Sequence, residues 1–204
     1  MTQSIVATAK EVLQHANIDG WTSHDGPPAI QGEADGLAAT SPLLALIEQT
    51  QGTDAIVIAC FDDTALREAR AIADCPVIGI GQAAFHVAAL HGARFSVVTT
   101  LDVSVPIIEA NIKAYGFEPV LGRVRASQIP VLDLEGDTSK SFEIITAEAK
   151  AALAEDKIDA VILGCAGMTG LAAHLRAHLN CLVIDGVEAA AHLAFGLAKA
   201  RRAL

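Results

Sequence analysis

TDAIVIAC (53–60) and IDAVILGC (158–165) are near copies of one another, and each ends in a cysteine. Both are short Ile/Val-rich runs bounded by Asp on one side and a small residue on the other, the pattern of a parallel strand buried on both faces. The likeness continues downstream, where Cys75, Val77, Ile78, Ala83, Ala84, His86 and Ala88 return 106 positions later as Cys181, Val183, Ile184, Ala189, Ala190, His192 and Ala194. These two blocks mark an internal duplication. Copies of one unit fold alike, so a thiol at the end of one strand, Cys60, implies a second, Cys165, related to it by a pseudo-twofold axis.

Outward from these blocks, β-branched runs alternate with Ala-rich helical periods, as in parallel strands joined by helices. Strands are predicted at 55–59, 77–80, 95–99, 119–123, 160–164 and 182–184. Helices are predicted at 3–13, 64–73, 83–91, 103–115, 139–155, 171–179 and 187–201. The stretch 17–36 is dense in Gly, Pro, Asp and Ser and reads as loop with one short strand at most. The fold class is therefore α/β, with mainly parallel sheet flanked by helices, and the duplication favours two pseudo-symmetric lobes. The first lobe takes 1–92 with 187–204, and the second takes 93–186. RFSVVT (94–99) stands 66 residues before Cys165, and its counterpart falls upstream of Met1, so the first lobe is expected to lack its leading strand.

Composition narrows the function. A formal net charge of −10, with 14 basic against 24 acidic residues, leaves no electrostatic footprint for nucleic acid or an anionic membrane. The apolar runs are far shorter than the ~20 residues of a spanning helix. Four cysteines without CxxC spacing and without an export leader point to reduced thiols in a cytoplasm. A four-cysteine zinc site is disfavoured, because Cys75 and Cys181 enter strands at the end opposite to Cys60 and Cys165. The high apolar content, 52%, suggests a homo-oligomer.

In parallel α/β sheets, ligands bind beyond the carboxyl ends of strands, where Cys60 and Cys165 stand. Each is followed by capping residues, Asp62, Asp63 and Thr64 or Gly167 and Thr169, so helix N-terminal amides are expected to lower the thiol pKa values. One thiolate would then take a proton from a carbon next to a carbonyl while the opposite thiol protonates the other face, with backbone N–H groups holding the enolate oxygen. Thr99 and Thr100 are candidate hydrogen-bond donors to the substrate as well as strand-end residues. Gly79 permits close backbone approach. Asp185 and Glu188 have capping-box spacing. His86 and His192 read as inherited packing, and GIGQAA (79–84) lacks the third glycine of a dinucleotide fingerprint.

The stretch ACFDDTALREARAIADCPVIGIGQAAFHVAALHGARFSVVTT (59–100), with GCAGMTGLAAHL and VIDGVEAA later, resembles the hydantoin racemase branch of the aspartate/glutamate racemase superfamily over about 2–197. The resemblance implies cofactor-independent, metal-free racemisation by Cys60 and Cys165 in a cleft between the lobes. Amino-acid racemases of the superfamily usually carry Asn-Thr after the first cysteine and Thr after the second. Phe61 and Ala166 stand there instead, which suits a neutral cyclic ureide such as a 5-substituted hydantoin or allantoin. Asp62 and Gly167 would complete the substrate contacts. The family's usual opening strand, ending in Asn-Pro-Asn-Thr, has no counterpart here, and Gln82 replaces a common Glu.

Overall fold

The computed structural model describes residues 1–50, 52–135 and 138–203, so Leu204, the last residue of the expected first lobe, lies outside it. In chain order the elements are α1 (Thr2–Val12), α2 (Glu33–Ile47), β1 (Ile56–Ile58), α3 (Leu66–Ile72), β2 (Val77–Gly79), α4 (Ile80–Leu90) and β3 (Phe95–Thr99). There follow α5 (Val105–Ala114), β4 (Leu121–Ala126), α6 (Thr138–Glu155), β5 (Ala160–Leu163), α7 (Ala172–His178), β6 (Leu182–Asp185) and α8 (Gly186–Ala203). Short 3₁₀ turns precede α5, β4, α6 and α7.

All strand pairings among the described residues are parallel. They form two sheets, β1-β2 and β4-β3-β5-β6. The repeated runs become β1 and β5, which pair in the same way with the next strand of their own copy, β2 and β6. Their surroundings differ. β5 lies between β3 and β6 and all four of its side chains are buried, whereas β1 has one partner and Val57 is 37% exposed, against 0% for its repeat mate Ile162.

Three expectations are corrected. The strand expected at 119–123 begins at Leu121, because Glu118–Val120, with Pro119 unable to donate a backbone hydrogen bond, forms a 3₁₀ turn. The helix expected from 83 begins at Ile80, directly off β2, where the Asp63 carboxylate accepts the amides of Gly81 and Gln82. The stretch 17–36 contains no strand among the described residues, and its last residues open α2, a helix that local signals hide: Gly36 and Pro42 both lie inside it. Pro42 forfeits one helical hydrogen bond, yet Ala39 and Ile47 are buried, so tertiary packing overrides the local preference.

The helices α4 and α8 are repeat mates and pack together on small residues, including Ala84, Ala88, Ala190 and Ala194. Their N-termini meet closely. A Cβ at Gly186 would stand 2.8 Å from the Ile80 carbonyl oxygen, which is why glycine opens α8. Phe85 of α4 is fully buried, stacked on Phe95 at 5.6 Å and edge-on to Phe61 at 5.6 Å. Burying such a ring contributes about 3 kcal/mol. The second sheet is also braced by ions: Arg125 binds Asp156 (2.7 Å), Glu148 (3.0 Å) and Glu155 (2.6 Å), and Asp156 also accepts from Ser96. Burial opposes ionisation of Asp156, but Arg125, Ser96 and Arg123 together hold its carboxyl below the usual carboxylate range. No helix among the described residues is long and apolar enough to cross a membrane.

Candidate active site

Cys60 follows β1 and Cys165 follows β5, and both line one cavity of about 130 Å³. The fold therefore brings the two duplicated thiols to a single small space. Phe61, Asp62, Thr99, Thr100 and Ala166 share that wall. The Phe61 ring is nonetheless 4% exposed and engaged with Phe85. Thr99 donates its hydroxyl to the Gly164 carbonyl at 2.9 Å. Gly79 and Gly167 are not part of the wall. A Cβ at Gly79 would fall 2.0 Å from Asp63 Oδ1, so this glycine makes room for a protein carboxylate.

Each cysteine is placed by a close backbone approach. At Gly164, the residue before Cys165, a Cβ would lie 2.9 Å from Thr99 Cα, so only glycine lets β5 and β3 end this near to each other. Gly81 plays the equivalent part near Cys60, since a Cβ there would lie 2.4 Å from the Phe61 carbonyl oxygen. The turn after Cys60 contains left-handed Asp63 (φ 50°) and Ala65 (φ 54°), a conformation uncommon for side chains other than glycine. Cross-chain bonds hold it. Asn111 donates to the Asp62 carbonyl at 2.8 Å, and Tyr115 donates its hydroxyl to Asp63 Oδ2 at 3.0 Å.

Electrostatically the site departs from expectation. Burial pushes the Cys60 thiol up to about 11, and the Asp62 carboxylate adds to the rise against the Thr64 hydroxyl, 3.3 Å from the sulfur. Burial likewise pushes Cys165 up to about 12; the Gly167 amide, 3.4 Å away, opposes this, while Cys60, Asp62 and Asp185 reinforce it. The lowering expected from helix N-termini does not occur. The amides of the following turns do act, those of Asp62 and Thr64 on Cys60 and that of Gly167 on Cys165, but burial outweighs them. The resting site thus holds two thiols. Asp62 is also pushed up, to about 6, by burial, with Ser104 pulling the other way from 3.4 Å.

Sequence reasoning missed the residues that close the cavity, Pro27 to Ile30 and Val131 together with Ser104. Nothing local marks them, because they meet through tertiary contacts such as the 3.0 Å bond from the Val131 amide to Gln31 Oε1, 100 positions apart in sequence. His86 is exposed, bonded to the Gln82 carbonyl and set edge-on to Phe117, as packing requires. Glu188 donates its amide to Asp185 at 2.9 Å, as the capping-box spacing implied. Among the described residues, no group of three or more His, Cys, Asp or Glu side chains is arranged to hold a metal ion.

The chain is similar to known proteins. A hydantoin racemase of Rhizobium meliloti is 45% identical over 203 residues, covering 96% of this chain and 84% of the relative. One from Pseudomonas sp. (strain NS671) is 35% identical over 192 residues, covering 93% and 77%. The solved allantoin racemase from Klebsiella pneumoniae superposes with a TM-score of 0.94 at 38% identity, covering 98% of this chain and 83% of that one. Glutamate racemase RacE1 from Bacillus anthracis, at 18% identity and a TM-score of 0.71, shares the fold. The family model for Asp/Glu/Hydantoin racemase matches residues 1–194, so the chain belongs to that family and is an isomerase of the racemase kind.

Proposed function

We propose that this protein racemises 5-substituted hydantoins by a two-thiol proton transfer without a cofactor. The observation that carries the reading is the convergence of Cys60 and Cys165 on one small cavity. One cysteine, as thiolate, takes the proton at C5 and becomes a thiol. The C–H electron pair passes into the adjacent carbonyl as an enolate. The opposite thiol gives its proton to the other face of the flattened carbon and is left as thiolate, so the next turnover runs in reverse. Both thiol pKa values are raised, which makes the scarce thiolate a strong base once formed.

Asp62 favours a neutral, N–H-bearing ring. A carboxylate in the wall, buried enough for its pKa to rise to about 6, accepts a ring N–H and repels a substrate carboxylate. Such a wall separates cyclic ureides from the dicarboxylates handled by isomerases or decarboxylases of similar fold. Allantoin, a hydantoin bearing a ureido group at C5, is the second reading, favoured by the closeness of the Klebsiella pneumoniae structure. The two lobes are assigned to 1–92 with 187–204 and to 93–186, the cavity being the cleft between them. We further assign the enzyme to the cytoplasm as a homo-oligomer.

The test follows one enantiomer of a 5-substituted hydantoin in deuterated water. Optical rotation should decay to zero while deuterium enters C5, and Cys60→Ser and Cys165→Ser should each abolish the decay. Variants that racemise like the wild type would defeat the two-thiol mechanism. Running allantoin in parallel decides between the two rings.

A further inference from the structure

The two copies cap equivalent helices in different ways. In the second, Asp185 at the end of β6 accepts the Glu188 amide of α8 at 2.9 Å, and the position equivalent to Asp63 is Met168. In the first, the position equivalent to Asp185 is Gly79, and the carboxylate comes from the cysteine turn: Asp63 accepts the amides of Gly81 (3.0 Å) and Gln82 (2.8 Å) of α4 and the Tyr115 hydroxyl of α5 (3.0 Å). The exchange is spatially exclusive, since a Cβ at Gly79 would stand 2.0 Å from Asp63 Oδ1. Asp63 is 6% exposed and sits at φ 50°, three residues after Cys60, whose carbonyl accepts the Asp63 amide at 3.1 Å.

We infer that Asp63 is a positioning residue for Cys60 alone, tying the turn that carries this thiol to α4 and, through Tyr115, to α5. Met168, a fully buried apolar side chain, has no carboxylate to offer; in the second copy it is the Thr169 hydroxyl of the turn that favours the charged form of Asp185 at the strand end. The inference rests on the two-thiol reading, and it makes the reaction asymmetric on demand. Loosening the Cys60 turn slows abstraction for the enantiomer whose proton Cys60 takes. For the other enantiomer it slows the delivery of a solvent-derived proton.

The experiment measures isotope effects in both directions for Asp63→Ala, Tyr115→Phe and the double variant Asp63→Ala/Gly79→Asp, which moves the capping carboxylate to the strand end as in the second copy. We expect Asp63→Ala to lower kcat/KM on the order of 10²-fold, the scale of a misplaced reacting group. Its effect with C5-deuterated substrate should rise for one enantiomer only, and its solvent isotope effect for the other. Tyr115→Phe should show the same one-sided pattern more weakly, and it keeps the test open if Asp63→Ala does not fold. The double variant should recover thermal stability but keep the one-sided isotope effects. Isotope effects that stay equal in the two directions for Asp63→Ala and Tyr115→Phe overturn the inference, as does a double variant that regains symmetry, because Asp63 would then be a helix cap and nothing more. If Cys60→Ser and Cys165→Ser both retain wild-type racemisation, it is the two-thiol reading that has failed instead.

Discussion

The turn after Cys60 and the turn after Cys165 descend from one sequence unit and end at one cavity, yet they are held by different means. The Cys60 turn passes through two left-handed residues and is fastened by side chains from elsewhere, Asn111 and Tyr115 among them. The Cys165 turn is a continuous 3₁₀ segment on apolar residues, with Ala166, Met168 and Leu171 all buried. The strands beneath them differ in the same sense, β5 enclosed on both sides and β1 paired on one. Symmetry of the proposed chemistry is therefore compatible with asymmetry of support: the proton transfer proposed above needs two thiols at one place, and packing and polar anchoring are two ways to keep a thiol there.

The most severe way to break the pair is to remove either sulfur. Cys60→Ser and Cys165→Ser should each lower kcat/KM by roughly 10³-fold or more, as expected for the loss of a positioned acid or base, and polarimetry with each enantiomer checks it. Because every turnover of the proposed mechanism uses both groups, the two losses should be of similar size despite the different supports.

Next in size is the contrast between the strands. Ile162→Ala empties a site with 0% exposure and should cost about 2–5 kcal/mol, whereas Val57→Ala, at 37% exposure, should cost about 1 kcal/mol or less. Denaturant midpoints for the two variants measure the difference. Equal losses would show that β1 is as enclosed in solution as its twin.

The electrostatic contrast is smaller. Folding raises both thiol pKa values above the ordinary 9.0, to about 11 for Cys60 and about 12 for Cys165. The folded state therefore holds these protons more tightly than the unfolded chain. Their stabilising contribution is full below about pH 9 and is lost as pH climbs through 11 to 12. Activity, which in the proposed mechanism needs a thiolate, moves the other way and should increase from pH 7 towards 9. Asp62→Asn removes a charge that raises Cys60, so this limb should shift down by about one pH unit. Below pH 6, where Asp62 itself takes up its proton, the two profiles should converge. Profiles of kcat/KM against pH for both proteins are the measurement.

The duplication makes the sheets legible in the sequence alone. Ile and Val in β1 and β5 announce buried strands by themselves, and the spacing to Val77 and Val183, which differs by one residue between the copies, carries the pairing with it. The thiols are legible for the same reason, since a strand end in a parallel sheet is a fixed place. What stays hidden depends on contacts remote in sequence. Helix α2 forms across Gly36 and Pro42 with Ala39 and Ile47 buried, and the 27–30 loop reaches the cavity through contacts that include the Gln31 bond to Val131. The thiol pKa shifts run opposite to the direction the capping residues suggest, because the depth of burial, which outweighs them, is not visible in the sequence, and because Asp62, itself one of those residues, raises Cys60 by its charge.

The smallest effect concerns the arginines behind the two turns. Arg176 binds Glu188 through both nitrogens at 2.9 and 2.6 Å, while its repeat mate Arg70 reaches Gln82 Oε1 at 2.6 Å. Gln82→Glu would copy the second arrangement into the first, and an exposed pair of this kind is worth at most about 0.5 kcal/mol after screening. In the first copy even that gain meets opposition. Arg70 is among the groups that favour the charged form of Asp63, whose carboxyl burial already pushes up to about 7, and Gln82 donates its amide to that same carboxylate. A new negative charge at position 82 would engage Arg70 and destabilise the Asp63 anion further. The second copy already bears the same opposition at the strand end, where Glu188 raises the pKa of the capping carboxylate Asp185 while donating its backbone amide to it. We therefore expect Gln82→Glu to leave the thermal midpoint nearly unchanged at neutral pH, with any gain appearing only at acid pH, where Asp63 is protonated. A clear stabilisation at pH 8 would mean that Arg70 contributes nothing to Asp63, and that the two arginines are interchangeable after all.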